Sequence, residues 1–238
     1  MPSSSRREAA AHCFVASLEA PELADVDRHH LERVLRLRRG EAVTVSDGAG
    51  SWRPCIYAGE GRVEVAGDVS FEPAPSPRVV VGFALTKGDK PEWAVQKLTE
   101  LGVDVVVPFV SARSVVRWDG EKAARAAERF ERVAREAAMQ SRRVWLPEVA
   151  PVAAFSEAVQ RWRPALAEPG GGPVSLTETC VFVGPEGGWT AEELGAGLPN
   201  ISLGSTILRA ETATLAVGAL LCALRAGTVG QIVQDHDR

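Results

Sequence analysis

The spacing of apolar positions changes along the chain near residue 72. Before that point, short runs such as HCFVASL and EAVTVSDG alternate in part between apolar and polar residues and are broken by Gly and Asp, which predicts short β-strands. One segment, DRHHLERVLRL, instead carries Leu31, Val34 and Leu35 at helical spacing and predicts a helix with these three side chains on one face. We therefore expect a small, mostly β domain over residues 1–72, of a size that is only marginally stable alone.

A proline-rich linker follows over residues 73–78. The segment FEPAPSPR places three prolines within five residues, which neither a helix nor an inner strand accepts. Beyond it, strands alternate with helices. VVVGFAL is a continuous apolar run, as expected of a strand buried on both faces. KPEWAVQKLTELG predicts a helix with Asp89 as its N-cap, Pro91 in its first turn and Gly102 at its end.

The same alternation continues toward the C-terminus. VDVVVPFV, RVWLPEV, CVFVGPEGG and NISLG predict strands, residues 121–140 and 152–162 predict helices, and an apolar helix follows Glu211. PALAEPGGGPVSL is interpreted as a flexible insertion because of its Gly and Pro content. Repeated β-α units of this kind predict an α/β fold over residues 79–238, with a parallel sheet covered on both faces.

The helix predicted at residues 121–140 has two distinct faces. Its polar face carries glutamates four residues before arginines, which predicts a solvated, salt-bridged surface at Glu121–Arg125, Glu128–Arg132 and Glu131–Arg135. Its predicted core face consists of Ala123, Ala126, Ala127, Phe130, Val133, Ala134 and Ala137.

Composition narrows the classes of function. With 45% apolar and 24% charged residues, the chain is typical of a folded soluble protein. The four cysteines form no CxxC pair and the four histidines no metal-binding spacing, so we expect reduced cytosolic thiols and no protein-bound metal. No signal peptide or membrane-spanning stretch is recognisable, which indicates a cytoplasmic protein. A net charge of −4 still allows a nucleic-acid partner, because a local basic face is enough.

Two loops leave the carboxyl ends of predicted strands, GPEGGWTAEEL at residues 184–194 and LGSTILRAET at residues 203–212. Ligands bind at that edge of an open α/β sheet, and glycines there let the backbone approach a ligand. Neither a P-loop nor the dinucleotide-binding GxGxxG pattern is present. A plainer interpretation of GPEGG is a turn before a helix N-cap at Thr190, but its pairing with SLGSTILRAETA favours a small-molecule site.

Four motifs together resemble a known family. LTKGDKPEWAVQKLTELGVDVVVPFVSARS, REAAMQSRR followed by LPEV, VGPEGGWTAEE and ISLGSTILRAETA stand in the order seen in bacterial 16S ribosomal RNA methyltransferases that modify N3 of a uridine, members of the SPOUT superfamily. RHHLERVLRLRRGE followed by DGAG resembles the PUA-like RNA-binding barrel at their N-terminus. The resemblance covers nearly the whole chain. It implies an α/β, trefoil-knotted, parallel-sheet methyltransferase domain preceded by a small PUA-like β-barrel.

The resemblance also implies a site for S-adenosylmethionine. The loop at residues 203–213 would be the knot loop that cradles this cofactor, with the apolar helix packed beneath it. Family members are homodimers, so the far side of that helix is expected to meet a second subunit. The implied cofactor-binding residues are Gly184, Pro185, Glu186, Gly187, Leu203, Gly204, Leu208, Thr212 and Ala213.

Methylation at uracil N3 sets the chemistry expected of that loop. Transfer from a sulfonium needs alignment of the reacting atoms and no metal, but N3 must first lose its proton. A cation beside O2 and O4 would favour that loss. We assign Arg209 to this role, and Glu211 either as the base or as the group that orients Arg209. The alternative is that the two side chains pair only to shape the loop.

The expected partner is 16S rRNA within an assembled small ribosomal subunit, with the target base taken out of its stack or lying in an irregular region. Two positions depart from the family pattern: His12 stands where an arginine is usual, which puts one RNA contact in doubt, and Met139 replaces an acidic residue. The predicted RNA-binding residues are Arg28, Arg33, Arg36, Arg38, Lys87, Lys90, Arg113 and Arg143, with Arg39 and Arg142 beside them.

Two rival interpretations stay open. One is a SPOUT methyltransferase that acts on another base or on ribose. The other is a non-catalytic RNA-binding factor of ribosome assembly that retains the fold, which the presence of the glycines at 184–188 and of Arg209 disfavours.

Overall fold

The computed structural model describes residues 4–116, 118 and 120–230. The chain divides into two compact units, Met1–Ala74 with Arg135–Leu146, and Pro75–Ala134 with Pro147–Arg238. The predicted domains of 1–72 and 79–238 include residues 1–3, 117, 119 and 231–238, which lie outside the described residues.

The first unit is built around a five-stranded sheet. Its elements are α1 (Ser4–Glu8), β1 (Ala11–Phe14), α2 (Asp25–His29), a π-helical turn (His30–Val34), β2 (Ala42–Ser46), β3 (Ser51–Gly59), β4 (Arg62–Val65) and β5 (Ser70–Phe71). The strands follow the order β1-β2-β3-β4, and β5 pairs with β3; β1 and β2 are parallel and the other pairs antiparallel. The predominantly β character predicted for this part of the chain is confirmed.

The predicted apolar face of the helix in this unit is wrong. Leu31 is fully buried, but Val34 is 62% and Leu35 43% exposed. The reason is a change of helix type, because α2 ends at His29 and the N–H of Leu35 donates to the carbonyl of His30, five residues back. The wider π-helical turn rotates later side chains away from the positions that α-helical spacing predicts.

Arg135 belongs to the first unit and does not pair as predicted. Its Nη2 lies 2.6 Å from Oδ2 of Asp27 and its Nη1 2.9 Å from Oδ1, so the pair is bidentate. Asp27 is buried, so the Glu131–Arg135 pair predicted for a solvated face is wrong. The predicted Glu121–Arg125 pair of the second unit is confirmed.

The second unit contains a sheet in which every strand pair is parallel. The elements are β6 (Val80–Ala84), α3 (Lys90–Leu101), β7 (Val105–Val110), α4 (Gly120–Gln140, ending in the first unit), β8 (Glu148–Val149), β9 (Ala153–Ala154), α5 (Phe155–Trp162), β10 (Ala165–Pro173), β11 (Cys180–Val183), α6 (Ala191–Leu194), β12 (Asn200–Ser202) and α7 (Ala210–Arg225). The strand order is β12-β10-β11-β6-β7-β8, and β9 pairs with β7. The predicted α/β class with a parallel sheet is thereby confirmed.

The segment expected to be a flexible insertion is strand β10, which lies between β11 and β12. Its first two residues, Ala165 and Leu166, are fully buried. Its glycines allow the backbones of β10 and β12 to approach each other closely, because a Cβ at Gly171 would lie 2.6 Å from the backbone of Asn200 on β12. Glycine in a strand often marks such a contact between backbones.

Both faces of the sheet are covered. Along β6, Val81 and Phe83 enter a core cluster with side chains of α3, α4 and α7, whereas Val80 and Ala84 enter a second cluster with residues of α5. This alternation follows from the two-residue period of a strand. Because all the strands run in one direction, the loops after β10, β11 and β12 emerge at the same edge.

Within residues 4–116, 118 and 120–230, no helix combines the length and apolar character needed to cross a membrane.

Candidate functional site

A cavity of about 640 Å³ lies at the carboxyl edge of the parallel sheet. Three segments of the second unit build most of it: residues 167–169 in the middle of β10, the loop after β11 and the loop after β12. Its lining residues are Ala167, Glu168, Pro169, Val183, Gly184, Pro185, Glu186, Gly188, Trp189, Ser202, Leu203, Gly204, Thr206, Ile207, Leu208, Arg209, Ala210 and Ala213.

Most of the residues predicted to bind a cofactor line this cavity. Gly187 and Thr212 do not, and the proposed base Glu211 lies behind its wall. The predictions missed Trp189, Ile207 and the segment 167–169. The last was missed because β10 was not recognised as a strand. The predicted residues that do line the cavity are Gly184, Pro185, Glu186, Leu203, Gly204, Leu208, Ala213 and Arg209.

The loop after β11 owes its shape to glycine and to a capped helix. Gly188 has a φ of +69°, and its N–H donates to the carbonyl of Pro185 at 2.8 Å. Thr190 is the N-cap of α6 and forms a capping box with Glu193. The plainer interpretation of GPEGG as a turn before an N-cap is therefore correct as local structure, and the same turn also lines the cavity.

Two groups anchor this loop to the chain that follows β7. The buried carboxylate of Glu193 accepts hydrogen bonds from the Ser111 hydroxyl at 2.8 Å and the Ala112 N–H at 3.0 Å. Burial alone would raise the pKa of Glu193, but the hydrogen bonds from Thr190, Ala112 and Ser111 together lower it. Arg113, predicted to contact RNA, donates to the carbonyls of Gly187 and Trp189, at 2.9 and 3.0 Å.

The loop after β12 presents an unpaired cation to the cavity. Gly204 has a φ of +127°, a conformation that side-chain-bearing residues rarely adopt. Ile207 is 91% exposed. Arg209 is the N-terminal flanking residue of α7. Its exposed guanidinium makes no hydrogen bond or ion pair to the part of the chain that the structure describes, so it is available to a ligand.

Glu211 contacts Lys90 rather than Arg209. The Lys90 ammonium lies 3.1 Å from Oε1 of Glu211 and 2.8 Å from Oε1 of Glu186. A hydrogen bond from its own backbone N–H lowers the pKa of Glu211, and Lys90 lowers it further, against the opposing effect of burial. A base at neutral pH needs a raised pKa, so the structure favours a positioning role over direct proton abstraction.

The cations predicted to contact RNA fall in both units. In the first unit, Arg33, Arg36 and Arg38 are exposed, whereas Arg28 donates to the Leu23 carbonyl at 2.9 Å. Arg143 is half-buried. In the second unit, Lys87 is exposed, and Lys90 and Arg113 have the partners given above.

His12 cannot replace an RNA-binding arginine, because it is buried. Its Nε2 lies 2.9 Å from the carbonyl oxygen of Arg143 and its Nδ1 2.8 Å from the Thr44 hydroxyl. Since a carbonyl only accepts, Nε2 carries the proton and Nδ1 accepts from Thr44. Burial lowers the pKa of His12 to about 4, so the ring is neutral.

No cluster of three or more His, Cys, Asp or Glu side chains able to hold a metal ion is found among the described residues.

Comparison with known proteins identifies the family. Residues 72–222 match the family model described as an RNA methyltransferase domain, and residues 23–66 match the RNA methyltransferase PUA domain. The chain is 35% identical to ribosomal RNA small subunit methyltransferase E of Mycobacterium bovis, over 80% of this chain and 82% of that protein. It is 32% identical to the Bacillus subtilis protein of that name, over 83% and 88%.

A solved structure agrees with these matches. The crystal structure of ribosomal RNA small subunit methyltransferase E from Neisseria gonorrhoeae bound to S-adenosyl methionine superposes with a TM-score of 0.76 at 30% identity. The match covers 90% of this chain and 97% of that one. The chain therefore belongs to the RNA methyltransferase family that includes the ribosomal RNA small subunit methyltransferases E.

Proposed function

We propose that this protein methylates N3 of a uridine in small-subunit ribosomal RNA and takes the methyl group from S-adenosylmethionine. The observation that carries the proposal is the cavity at the carboxyl edge of the sheet, which is lined by the GPEGG loop and the LGSTILRAET loop together. Relatives at 32–35% identity are named for methylation of small-subunit ribosomal RNA, and one solved relative contains S-adenosyl methionine.

The cavity suits a nucleoside cofactor. Its volume of about 640 Å³ lies within the roughly 300–1,000 Å³ usual for small-molecule sites. Gly184 and Gly204, which have no side chain, line it beside Leu203 and Leu208, so a ligand can approach main-chain donors and acceptors closely at the two glycines. When bound, S-adenosylmethionine supplies an activated methyl group on a sulfonium.

Arg209 is the group proposed to act on the uracil. Its unpaired guanidinium at the cavity can stabilise negative charge on uracil O2 and O4 when N3 loses its proton. Glu211 is proposed to order the first turn of α7 through Lys90. Because its pKa is lowered, it would receive a proton only transiently and through a water.

RNA binding is proposed for the exposed arginines of the first unit, with 16S rRNA in an assembled small ribosomal subunit as the partner. Arg33, Arg36 and Arg38 project from the segment after α2, where guanidinium groups can reach phosphates. The subunit is a cytoplasmic particle, so we place the protein there. The trefoil knot that the resemblance implies stays a prediction.

A homodimer is proposed on the basis of the exposed apolar side chains of the second unit. Trp93 and Leu101 on α3 and Leu220 on α7 are each about 40% exposed. Apolar side chains of this size on neighbouring helices are typical of surfaces that associate.

Two measurements test the function. Calorimetry of the purified protein with S-adenosylmethionine should show binding at one site per chain. Incubation of unmodified small subunits with protein and cofactor, followed by mass mapping of the rRNA, should place one methyl group on a uracil base. A methyl group on ribose or on another base would support a different target for the methyltransferase. If the protein does not bind S-adenosylmethionine, the non-catalytic alternative is supported. Free rRNA serves as the comparison substrate.

A further inference from the structure

Three segments that are distant in sequence meet at one ammonium group. Lys90 begins α3, Glu186 lies in the GPEGG loop, and Glu211 lies in the first turn of α7. The Lys90 Nζ is 2.8 Å from Glu186 and 3.1 Å from Glu211. Hydrogen bonds to Glu186 and then to Glu211 raise the pKa of Lys90, so it is a cation throughout the neutral range. One ammonium group therefore forms ion pairs with two carboxylates.

This cluster lies behind the wall of the cofactor cavity. A small neighbouring cavity is lined by Lys90 and Glu211 together with Gly184 and Ala210, and these last two residues also line the large cavity. Lys90 does not line the large cavity. It can therefore influence a ligand there only through the groups that it holds.

Two cations, Lys90 and Arg209, interact with Glu211. It lies two residues from Arg209, whose charge contributes to the lowered pKa of Glu211 but less than that of Lys90 does. Glu211 Oε1 is paired with Lys90, and its Oε2 is buried without a hydrogen-bond partner among the described residues. If Lys90 lost its charge, the Glu211 carboxylate would pair with Arg209 instead.

We propose that Lys90 is a positioning residue that engages Glu211 and so keeps Arg209 unpaired for the uracil oxygens. The proposal rests on the proposed function, because it assumes that a free guanidinium at residue 209 is needed for methyl transfer. It assigns Lys90 a role within the protein rather than the contact with RNA predicted from the sequence. Glu186, held by the same ammonium, links the GPEGG loop to the start of α3.

A pair of substitutions separates this role from a general loss of structure. In Lys90→Met, Glu211 is released toward Arg209, and turnover on small subunits should fall about two- to fivefold, the upper part of the range that corresponds to an exposed ion pair. In the double variant Lys90→Met/Glu211→Gln the residue 211 side chain no longer carries a charge that competes for Arg209, so turnover should rise again above that of Lys90→Met. Lys90→Arg, which keeps the charge, should retain most of the activity.

Lys97→Met is the matched control on the same helix. Lys97 is similarly half-buried and pairs with Glu100 at 2.8 Å, away from the cavity. The Lys97→Met substitution should leave turnover unchanged. Calorimetry and thermal unfolding of each variant separate a weaker cofactor site or a weaker fold from a change in turnover.

The outcomes are distinct. A wild-type protein that neither binds S-adenosylmethionine nor transfers methyl groups would contradict the proposed function itself. If the wild type is active but the double variant is no more active than Lys90→Met, Glu211 is not a competitor for Arg209 and the role of Lys90 is refuted. Wild-type turnover in Lys90→Met would refute it as well.

Discussion

Arg209 and Glu211 are separated by one residue but have different surroundings. Glu211 accepts from its own backbone N–H and from Lys90, which fixes it at the start of α7. Arg209 precedes the helix, lines the cavity and is exposed. An unpaired guanidinium retains its full hydrogen-bonding capacity for a planar ligand such as uracil. The two side chains therefore do not form the local pair that the sequence left as an alternative.

Replacing Arg209 should affect turnover more than cofactor affinity. In Arg209→Ala, the charge that develops on O2 and O4 loses its stabilising cation, so turnover should fall about 100-fold, as when one donor to a developing oxyanion is removed. Affinity for S-adenosylmethionine, measured by calorimetry, should change far less. Arg161→Ala, an exposed arginine of α5, serves as the control. Normal turnover in Arg209→Ala would exclude Arg209 as a catalytic group.

His12 should make the stability of the first unit sensitive to acid. Its pKa is lowered from 6.5 to about 4 in the folded protein, because burial penalises the imidazolium. The unfolded chain takes up a proton as pH falls through 6.5, whereas the folded chain does so only near 4. Stability is therefore complete above pH 6.5 and falls by up to about 3 kcal/mol on going to pH 4.

The His12→Gln variant isolates this contribution. Urea unfolding at several pH values between 4 and 8 gives a free energy for each protein, and the difference between wild type and variant removes the effect of the carboxylates. The wild-type advantage should shrink as the pH falls between 6.5 and 4. A difference that is constant over this interval would contradict the burial of a neutral His12.

Secondary-structure elements differ in how far their own residues predict them. Helix α3 was predicted with its limits because Asp89, Pro91 and Gly102 mark its ends locally, and Gly102 adopts the expected left-handed conformation. Strand β10 was not predicted, because its PGGG sequence is typical of a loop. Its strand geometry comes from β11 and β12 on either side, which local sequence does not encode.

The pair that Arg135 on α4 forms with Asp27 leads to a prediction about the stability of the fold. Its side chain is 29% and that of Asp27 2% exposed, so Arg135→Ala leaves a buried carboxylate without its partner. Breaking such a pair costs about 3–5 kcal/mol, which thermal or urea unfolding should detect. Arg125→Ala, whose exposed pair with Glu121 lies on the same helix, should cost about 0.5 kcal/mol or less. Equal effects of the two substitutions would contradict the buried pairing.

The site as a whole depends on contacts that connect distant segments. The sequence motifs identified two of the three segments that line the cavity, since GPEGG and LGSTILRAET each carry glycines at strand ends. They could not reveal that Arg113 and Lys90 hold these loops from β7 and α3, because such pairings depend on the order of strands in the sheet. Arg113 and Lys90, which were predicted to contact RNA, thus also contact the loops that line the cavity.

The proposed homodimer can be tested on helix α7. The buried side of α7 presents Val217, Gly218 and Leu221 to the core, which leaves Leu220 exposed. A glutamate at residue 220 would place a charge in the proposed apolar interface, where desolvation disfavours it. Light scattering should give about twice 25.4 kDa for the wild type and about 25.4 kDa for Leu220→Glu. Ile56→Glu, an exposed apolar position on β3, should leave the mass unchanged. A dimeric Leu220→Glu protein would show that α7 is not the interface.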